Sequence, residues 1–425
     1  MLKAEPANHG IWKNHIHFAW IVLIGVCIFM GLSRSGLNSS GGLFMGPVMA
    51  ELECGAGEFM LYFSISSIVT FLFLPIAGKF MVRYDIRLLL VAGLVIQAGA
   101  FALFGFMSSI WGWYLLSIPM SMGSVFTTQI AGPILIGNWF KKHHGLAMGI
   151  MMASAGLCGT VLQPLAGMLI TTQGWRNAYI ILGGIVMAIG IPAILLTIRM
   201  EPRQKGLQPL GAGTSAAAEV AAAPCGVKAE AARSTAAFWA LLLFMFLITA
   251  VASFSQHMPN YAEQLGYDTA FAGGAMGFLM LGMLVGSLVF GLLSDKVGAM
   301  LTTIFALACG IVGILIAIFC GSQPILFRIA IAIYGFSSAS VGTLGPLLTT
   351  SLFGQKEYSE IYSTVAMGTA FAGIVAMPGY GFLFDALRSY IPALYMICIM
   401  LLGCIACVAV AFIGKEKMVR GGTWH

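Results

Sequence analysis

The sequence predicts an all-α membrane protein, with twelve transmembrane helices in two pseudo-symmetric six-helix bundles. Three observations carry that prediction. Only 8% of the 425 residues are charged, 59% are apolar and the mean hydropathy is +0.95, which no water-soluble protein of this size could present on its surface. Apolar stretches near the roughly 20 residues needed to cross a bilayer recur twelve times. Landmarks also repeat at one offset: Gly132-Pro133-Ile134-Leu135 and Gly345-Pro346-Leu347-Leu348 stand 213 residues apart, as do Gly78 and Gly291. A duplicated unit of six helices keeps one orientation in both halves and encloses a site near the midplane.

The expected spans are 18–45, 56–78, 88–107, 110–137, 146–170, 178–198, 236–262, 270–294, 300–320, 325–353, 361–384 and 390–413. Their length argues for helices rather than a barrel. Lys3 and Lys13 precede the first span as in a secretory signal, but the apolar run is too long and has no small-x-small cleavage site. Between Glu201 and Arg233 the chain is Ala-, Gly- and Pro-rich without an apolar helix. The expected division is an N-terminal bundle over 1–199, a cytoplasmic linker over 200–234 and a C-terminal bundle over 235–425.

Of the 21 lysines and arginines, 17 fall on the side of the termini and linker. Arg176, Arg328 and Arg388 fall on the other side, and Arg34 lies within a span. The positive-inside rule therefore puts both termini in the cytoplasm. Compact loops and the lack of a targeting or lipidation signal point to a bacterial inner membrane. The net charge of +6 is a topology signal and gives no support to nucleic-acid binding. The nine cysteines, among them Cys27, Cys158, Cys309, Cys398 and Cys404, form no CxxC pair and read as small core residues.

Several function classes are excluded. No G-x-x-x-x-G-K-[ST] loop is present to bind ATP, and there is no HExxH, no Cys/His set at metal spacing and no nucleophile–base arrangement. The chain is thus expected to be no enzyme, to need no cofactor or metal, and to run on gradients. A sensor or receptor would need a soluble signalling domain, and the linker is too short and too low in complexity to fold alone.

The stretch Gly291-Leu292-Leu293-Ser294-Asp295-Lys296-Val297-Gly298 resembles the G-x-x-x-D-[RK]-x-G signature that follows helices 2 and 8 in the major facilitator superfamily. In the first-half copy, Gly78 to Arg87, Val82 stands where that signature has its Asp, while Arg83 and Arg87 keep the charge. The run from Asn138-Trp139-Phe140 to Gly145-Leu146-Ala147-Met148-Gly149 is similar to the N-W-F-x-x-x-x-G-L-A-x-G motif of the oxalate/formate antiporter and monocarboxylate transporter branch. The superfamily resemblance spans essentially the whole chain. It implies a major facilitator fold whose cavity is lined by helices 1, 4, 7 and 10, with Arg83, Asp295 and Lys296 in gating loops.

On helix 1, Arg34 sits halfway along an apolar run, where a cation is unfavourable by roughly 2.5–3.5 kcal/mol unless it meets water or a counter-charge. No acidic residue lies mid-span to neutralise it. With about 100° per residue, Arg34 and Asn38 would share a face and grip one carboxylate. Helix 4 offers Thr127, Thr128 and Gln129 ahead of Gly132-Pro133, with Gln129 the strongest ligand candidate. Helix 7 carries His257 and Asn260 around the helix breaker Pro259; His257 reads either as a proton carrier or as a hydrogen-bonded gate residue. Helix 10 brings Tyr334, Ser338 and Thr343.

Oxalate carriers of this branch have cations in helices 8 and 11, whereas alignment puts Ser287 and Thr369 there, and positions aromatic in those carriers are Ala155, Ser338 and Gly342 here. The resemblance therefore implies a single carboxylate on a bulkier acid. The function expected is secondary transport of a small to medium monoanionic organic acid by a monomer, through proton symport or anion exchange. Its partners are then the acid, protons in the symport form, and the lipid bilayer. The alternative is an exporter of amphipathic or neutral compounds.

Overall fold

In the computed structural model the described residues are 17–211, 226–354 and 356–420. The termini, with Lys3 and Lys13, and the middle of the linker lie outside them. The described residues form twelve membrane-length helical segments. They are α1 Phe18–Leu52, α2 Ala56–Arg83, α3 Ile86–Leu103, α4 110–139, α5 144–173 and α6 175–197 in one half. The other half holds α7 236–264, α8 Thr269–Val297, α9 Ala299–Phe319, α10 Pro324–Phe353, α11 Glu360–Leu387 and α12 Ile391–Arg420.

Local chemistry sets the boundaries. Gly174 adopts φ 78°, a left-handed conformation that only glycine takes easily, and it divides α5 from α6. Gly298, at φ 85°, separates α8 from α9. Asp85, Thr235 and Asp268 cap α3, α7 and α8, each accepting a backbone N–H of the first turn. The stretch read as a loop around Asp295 and Lys296 is in fact the last turn of α8, which runs on to Val297.

Helices α1 and α4 are not regular, so the 100° per residue expected around Arg34 does not hold. In each, a six-residue π segment interrupts the α-helix: Ser33–Asn38 in α1 and Val125–Ile130 in α4. In α4 the cause is Pro133, which has no N–H for the carbonyl of Gln129 four residues back. In α1, Gln163 of α5 donates through Nε2 to the Ser35 carbonyl at 2.9 Å, and the ladder widens where that side chain enters.

The two halves meet on the side away from the linker, here the far side. The Asp385 carboxylate of α11 accepts from Ala56 and Gly57 N–H at 2.8 Å each, so one half caps a helix of the other. Ser64 donates to the Ile374 carbonyl and Ser67 to that of Gly373. Between α5 and α8 the backbones touch at small residues: a Cβ on Gly167 would lie 2.9 Å from the Gly273 Cα. Towards the linker side the contacts end. A Cβ at Gly78, Gly145, Gly149 or Gly291 would meet nothing within 4 Å, and Leu72 and Leu292 are 64% and 68% exposed. The fold is closed on the far side and splayed on the linker side.

The linker begins and ends on the two halves symmetrically. Leu210 pairs with Phe140 at the end of α4, and Gly226 with Gly354 at the end of α10. Ala229 N–H donates to Glu357, and Arg233 forms an ion pair with Glu360.

Candidate functional site

Arg34 and Gln129 face the space between the halves. A Cβ on Gly25 would collide with Thr197, so that face of α1 backs onto α6. Nine residues on, at about 100° each, Arg34 points the opposite way. It is exposed although it lies mid-span, while Ser33, Ser35, Gly36 and Leu37 around it are buried. On α4, Thr127 donates to Gln97 of α3 at 2.6 Å. Two residues on, Gln129 emerges on the other side and is exposed. Among the described residues, neither the Arg34 nor the Gln129 side chain has a hydrogen-bond or ion-pair partner. Among the described residues the carboxylates sit near helix ends or in loops and none pairs with Arg34. Both groups ride on π segments, which swing a side chain off the regular helical track.

Asn38 does not join Arg34 on one face. It donates to Ser124 Oγ at 3.0 Å and accepts from Gln97 Nε2 at 3.1 Å. Thr128 is likewise engaged, bonding the Ser124 hydroxyl at 3.1 Å and the Ser124 carbonyl at 2.8 Å. These residues form a buried network that staples α1, α3 and α4 and fixes the two π segments relative to each other. The sequence reading missed Gln97. Its signal was present: it is the one amide in α3, and it is fully buried.

The C-terminal half presents a different wall. The 213-residue offset pairs Gln129 with Gly342, which is exposed and whose absent Cβ would meet nothing within 4 Å. The Tyr334 hydroxyl is buried on the Val251 carbonyl, Ser338 bonds the Tyr334 carbonyl at 2.9 Å, and Thr343 bonds the Ala339 carbonyl at 3.0 Å. These three hydroxyls serve their own half rather than the cavity. Ser287 and Thr369 are also satisfied, by the Leu284 carbonyl and Thr249.

His257 lies outside the cavity. It is fully buried between α7, α11 and α12, its Nε2 at 2.8 Å from the Met377 carbonyl and its Nδ1 at 3.2 Å from the Tyr390 hydroxyl. Asn260 donates to the same hydroxyl at 2.9 Å. Both residues pin the far-side end of α7. Arg83, Asp295 and Lys296 are exposed on the splayed linker side, with no ion pair among the described residues.

A model of the family described as Major Facilitator Superfamily matches residues 21–377. The chain belongs to the major facilitator superfamily. It is a multi-pass membrane transporter and no enzyme. The chain is 23% identical to the uncharacterized MFS-type transporter YhjX of Escherichia coli, over 85% of this chain and 87% of that one. It is 24% identical to mouse monocarboxylate transporter 12, over 93% and 84% respectively. The membrane sensor protein UhpC of Salmonella typhimurium is 25% identical over 68% of this chain and 66% of its own. The fold matches the crystal structure of a bacterial homolog of the human lysosomal transporter Spinster, in an inward-facing and unoccupied conformation, with a TM-score of 0.67, 15% identity, and 97% and 98% of the chains covered.

One carboxylate, Glu263, sits between the halves on the far side. Glu263, just past the membrane-spanning part of α7, packs against Gly46 of α1 and accepts from Thr269 at 2.9 Å. It lines both far-side clefts, of about 490 and 630 Å³, with Tyr267 and Asp268 in one and Glu53, Asp385 and Arg388 in the other. Burial raises its carboxyl above the ordinary range, against a smaller lowering by Thr269. The closed form therefore holds this proton more tightly than a hydrated carboxyl does. The closed form gains stability from this below the ordinary carboxylate range and loses it as pH rises through the raised value. Spin-label distances between the far-side loops of the two halves should lengthen on raising pH, and Glu263→Gln should abolish the change; an identical pH response in that variant contradicts this.

Proposed function

We propose that the protein is a secondary carrier of a monoanionic organic acid, working by proton symport or anion exchange through alternating access. One observation carries this reading: a single exposed mid-span guanidinium, Arg34, and the exposed amide of Gln129 ride on the two π segments, neither with a partner among the described residues. The guanidinium takes the carboxylate in a bidentate grip and Gln129 orients it. Opposite them, the open space at Gly342 leaves room for the acid's tail. The similarity to a monocarboxylate transporter supports the same reading. With one cation, a dicarboxylate would keep an unneutralised charge in a low-dielectric site. A neutral or amphipathic export substrate would leave the arginine unused. The bacterial inner membrane, cytoplasmic termini, a monomeric state and the division at residues 200–234 belong to this proposal.

The tail side gives a direct test. A Cβ at Gly342 would meet nothing within 4 Å, so Gly342→Phe starts its ring in open space. Each methylene it keeps from burial removes about 0.8 kcal/mol of binding. In proteoliposome counterflow across a series of acids, branched and aromatic acids should lose at least tenfold in kcat/KM. Two- and three-carbon acids should stay within threefold. Equal loss across the series, or none, contradicts the placement of the tail.

A further inference from the structure

We propose that Gln256 of α7 couples the Arg34 site to the far-side gate. The inference rests on the reading of Arg34 as the anion ligand. It starts from the break in α1. After the π segment ends at Asn38, the chain bends at Ser39 and Ser40 and resumes as an α-helix at Gly41. Such a break leaves an N–H at the start of the second piece and a carbonyl at the end of the first without helical partners. One side chain of the other half satisfies both. Gln256 Oε1 accepts from Gly42 N–H at 2.9 Å, and Gln256 Nε2 donates to the Asn38 carbonyl at 3.3 Å.

The amide is rigidly mounted. Gln256 is 7% exposed, ends the 3-10 turn Phe254–Gln256, and is followed by His257, which is held to α11 and α12. The approach is close at the backbone too, since a Cβ on Gly42 would lie 2.1 Å from the Gln256 carbonyl oxygen. Arg34 and Asn38 belong to the same π segment. The far side cannot open without withdrawing α7 from α1, and that withdrawal breaks both bonds together. The segment carrying Arg34 then loses one of its outside supports, while Gln163 and the Gln97–Ser124 network still hold it to its own half. In the reverse direction, an anion that pulls on Arg34 strains the Asn38 carbonyl and so the gate. Gln256 acts here as a positioning residue.

The test uses the full-length protein with Cys54, which lines a far-side cleft, as its only cysteine. In the parent, a saturating monocarboxylate should change the rate of thiol labelling at Cys54 severalfold. Gln256→Met keeps the side chain's length without its polar head. It should raise the basal labelling rate about tenfold, remove the response to the acid, and lower uptake kcat about tenfold with KM within threefold. Gln256→Glu keeps the acceptor for Gly42 and loses the donor to Asn38, and should fall between; it also serves if the Met variant does not fold. Parent-like labelling with a parent-like acid response in both variants overturns the proposal. If the acid fails to alter labelling in the parent, the Arg34 reading fails on its own, and a parent-like basal rate in the variants overturns the gate contact.

Discussion

Replacing Arg34 with Gln is expected to lower kcat/KM for monocarboxylate uptake in proteoliposomes by about 100-fold or more. The substitution keeps a polar side chain but removes the one mid-span charge, so a bound carboxylate would sit in the cavity with neutral partners only. A hydrogen bond to a charged group contributes about 1.5–3 kcal/mol, and a bidentate pair makes two of them. At about 1.36 kcal/mol per tenfold, even the lower end of that range for two bonds gives about 100-fold. Folding should not suffer, because Arg34 has no partner among the described residues whose loss would leave a buried group stranded. Helical content and elution volume should match the parent. Uptake within threefold of the parent contradicts the assignment.

Gly42→Ala is expected to hold the carrier open on the far side and to reduce transport more than tenfold. The added Cβ would lie 2.1 Å from the Gln256 carbonyl oxygen, 2.8 Å from its carbon and 3.0 Å from its Cα. All three are backbone atoms, so no rotamer change relieves the overlap and α1 and α7 must separate. Overpacking of this kind costs about 1–3 kcal/mol, and only the closed form bears it. The equilibrium between closed and open should therefore shift roughly fivefold to 150-fold. Labelling of Cys54 reports the shift, because burial raises its thiol above the ordinary value and slows reaction while the far side is closed. Gly78→Ala is the control, since its Cβ meets nothing within 4 Å and should change neither labelling nor transport. Equal labelling in Gly42→Ala and the parent contradicts closure through this contact.

The fold was legible because each span must carry its own apolar run, and a duplicated unit repeats its helix breakers at a fixed spacing. Arg34 and Gln129 were legible for a related reason: a charged or amide side chain inside an apolar helix stands out without knowledge of its neighbours. Asn38 was misplaced because a regular helix would set it on the face of Arg34. At roughly 80° per residue the π segment leaves Asn38 short of a full turn from Arg34 rather than past it, on the opposite flank, and there Gln97 and Ser124 hold its side chain toward α3 and α4. Nothing in Ser33–Asn38 requires that geometry locally; it depends on Gln163 arriving from α5, 125 residues or more along the chain. His257 shows the same limit. Its residue type allowed proton transfer, and only the packing of α11 and α12 around it fixed both ring nitrogens on structural partners. Gln256 was invisible because its two bonds cross between the halves.

The central claim, a carboxylate held by Arg34, is tested most directly by comparing one organic acid with its primary amide in counterflow through the parent and the Arg34→Gln variant. The two solutes share size and shape and differ in charge. The parent should exchange the acid at least 100-fold better than the amide, and this preference should collapse to within threefold in the variant. Equal exchange of acid and amide by the parent, or an undiminished preference in the variant, would contradict it.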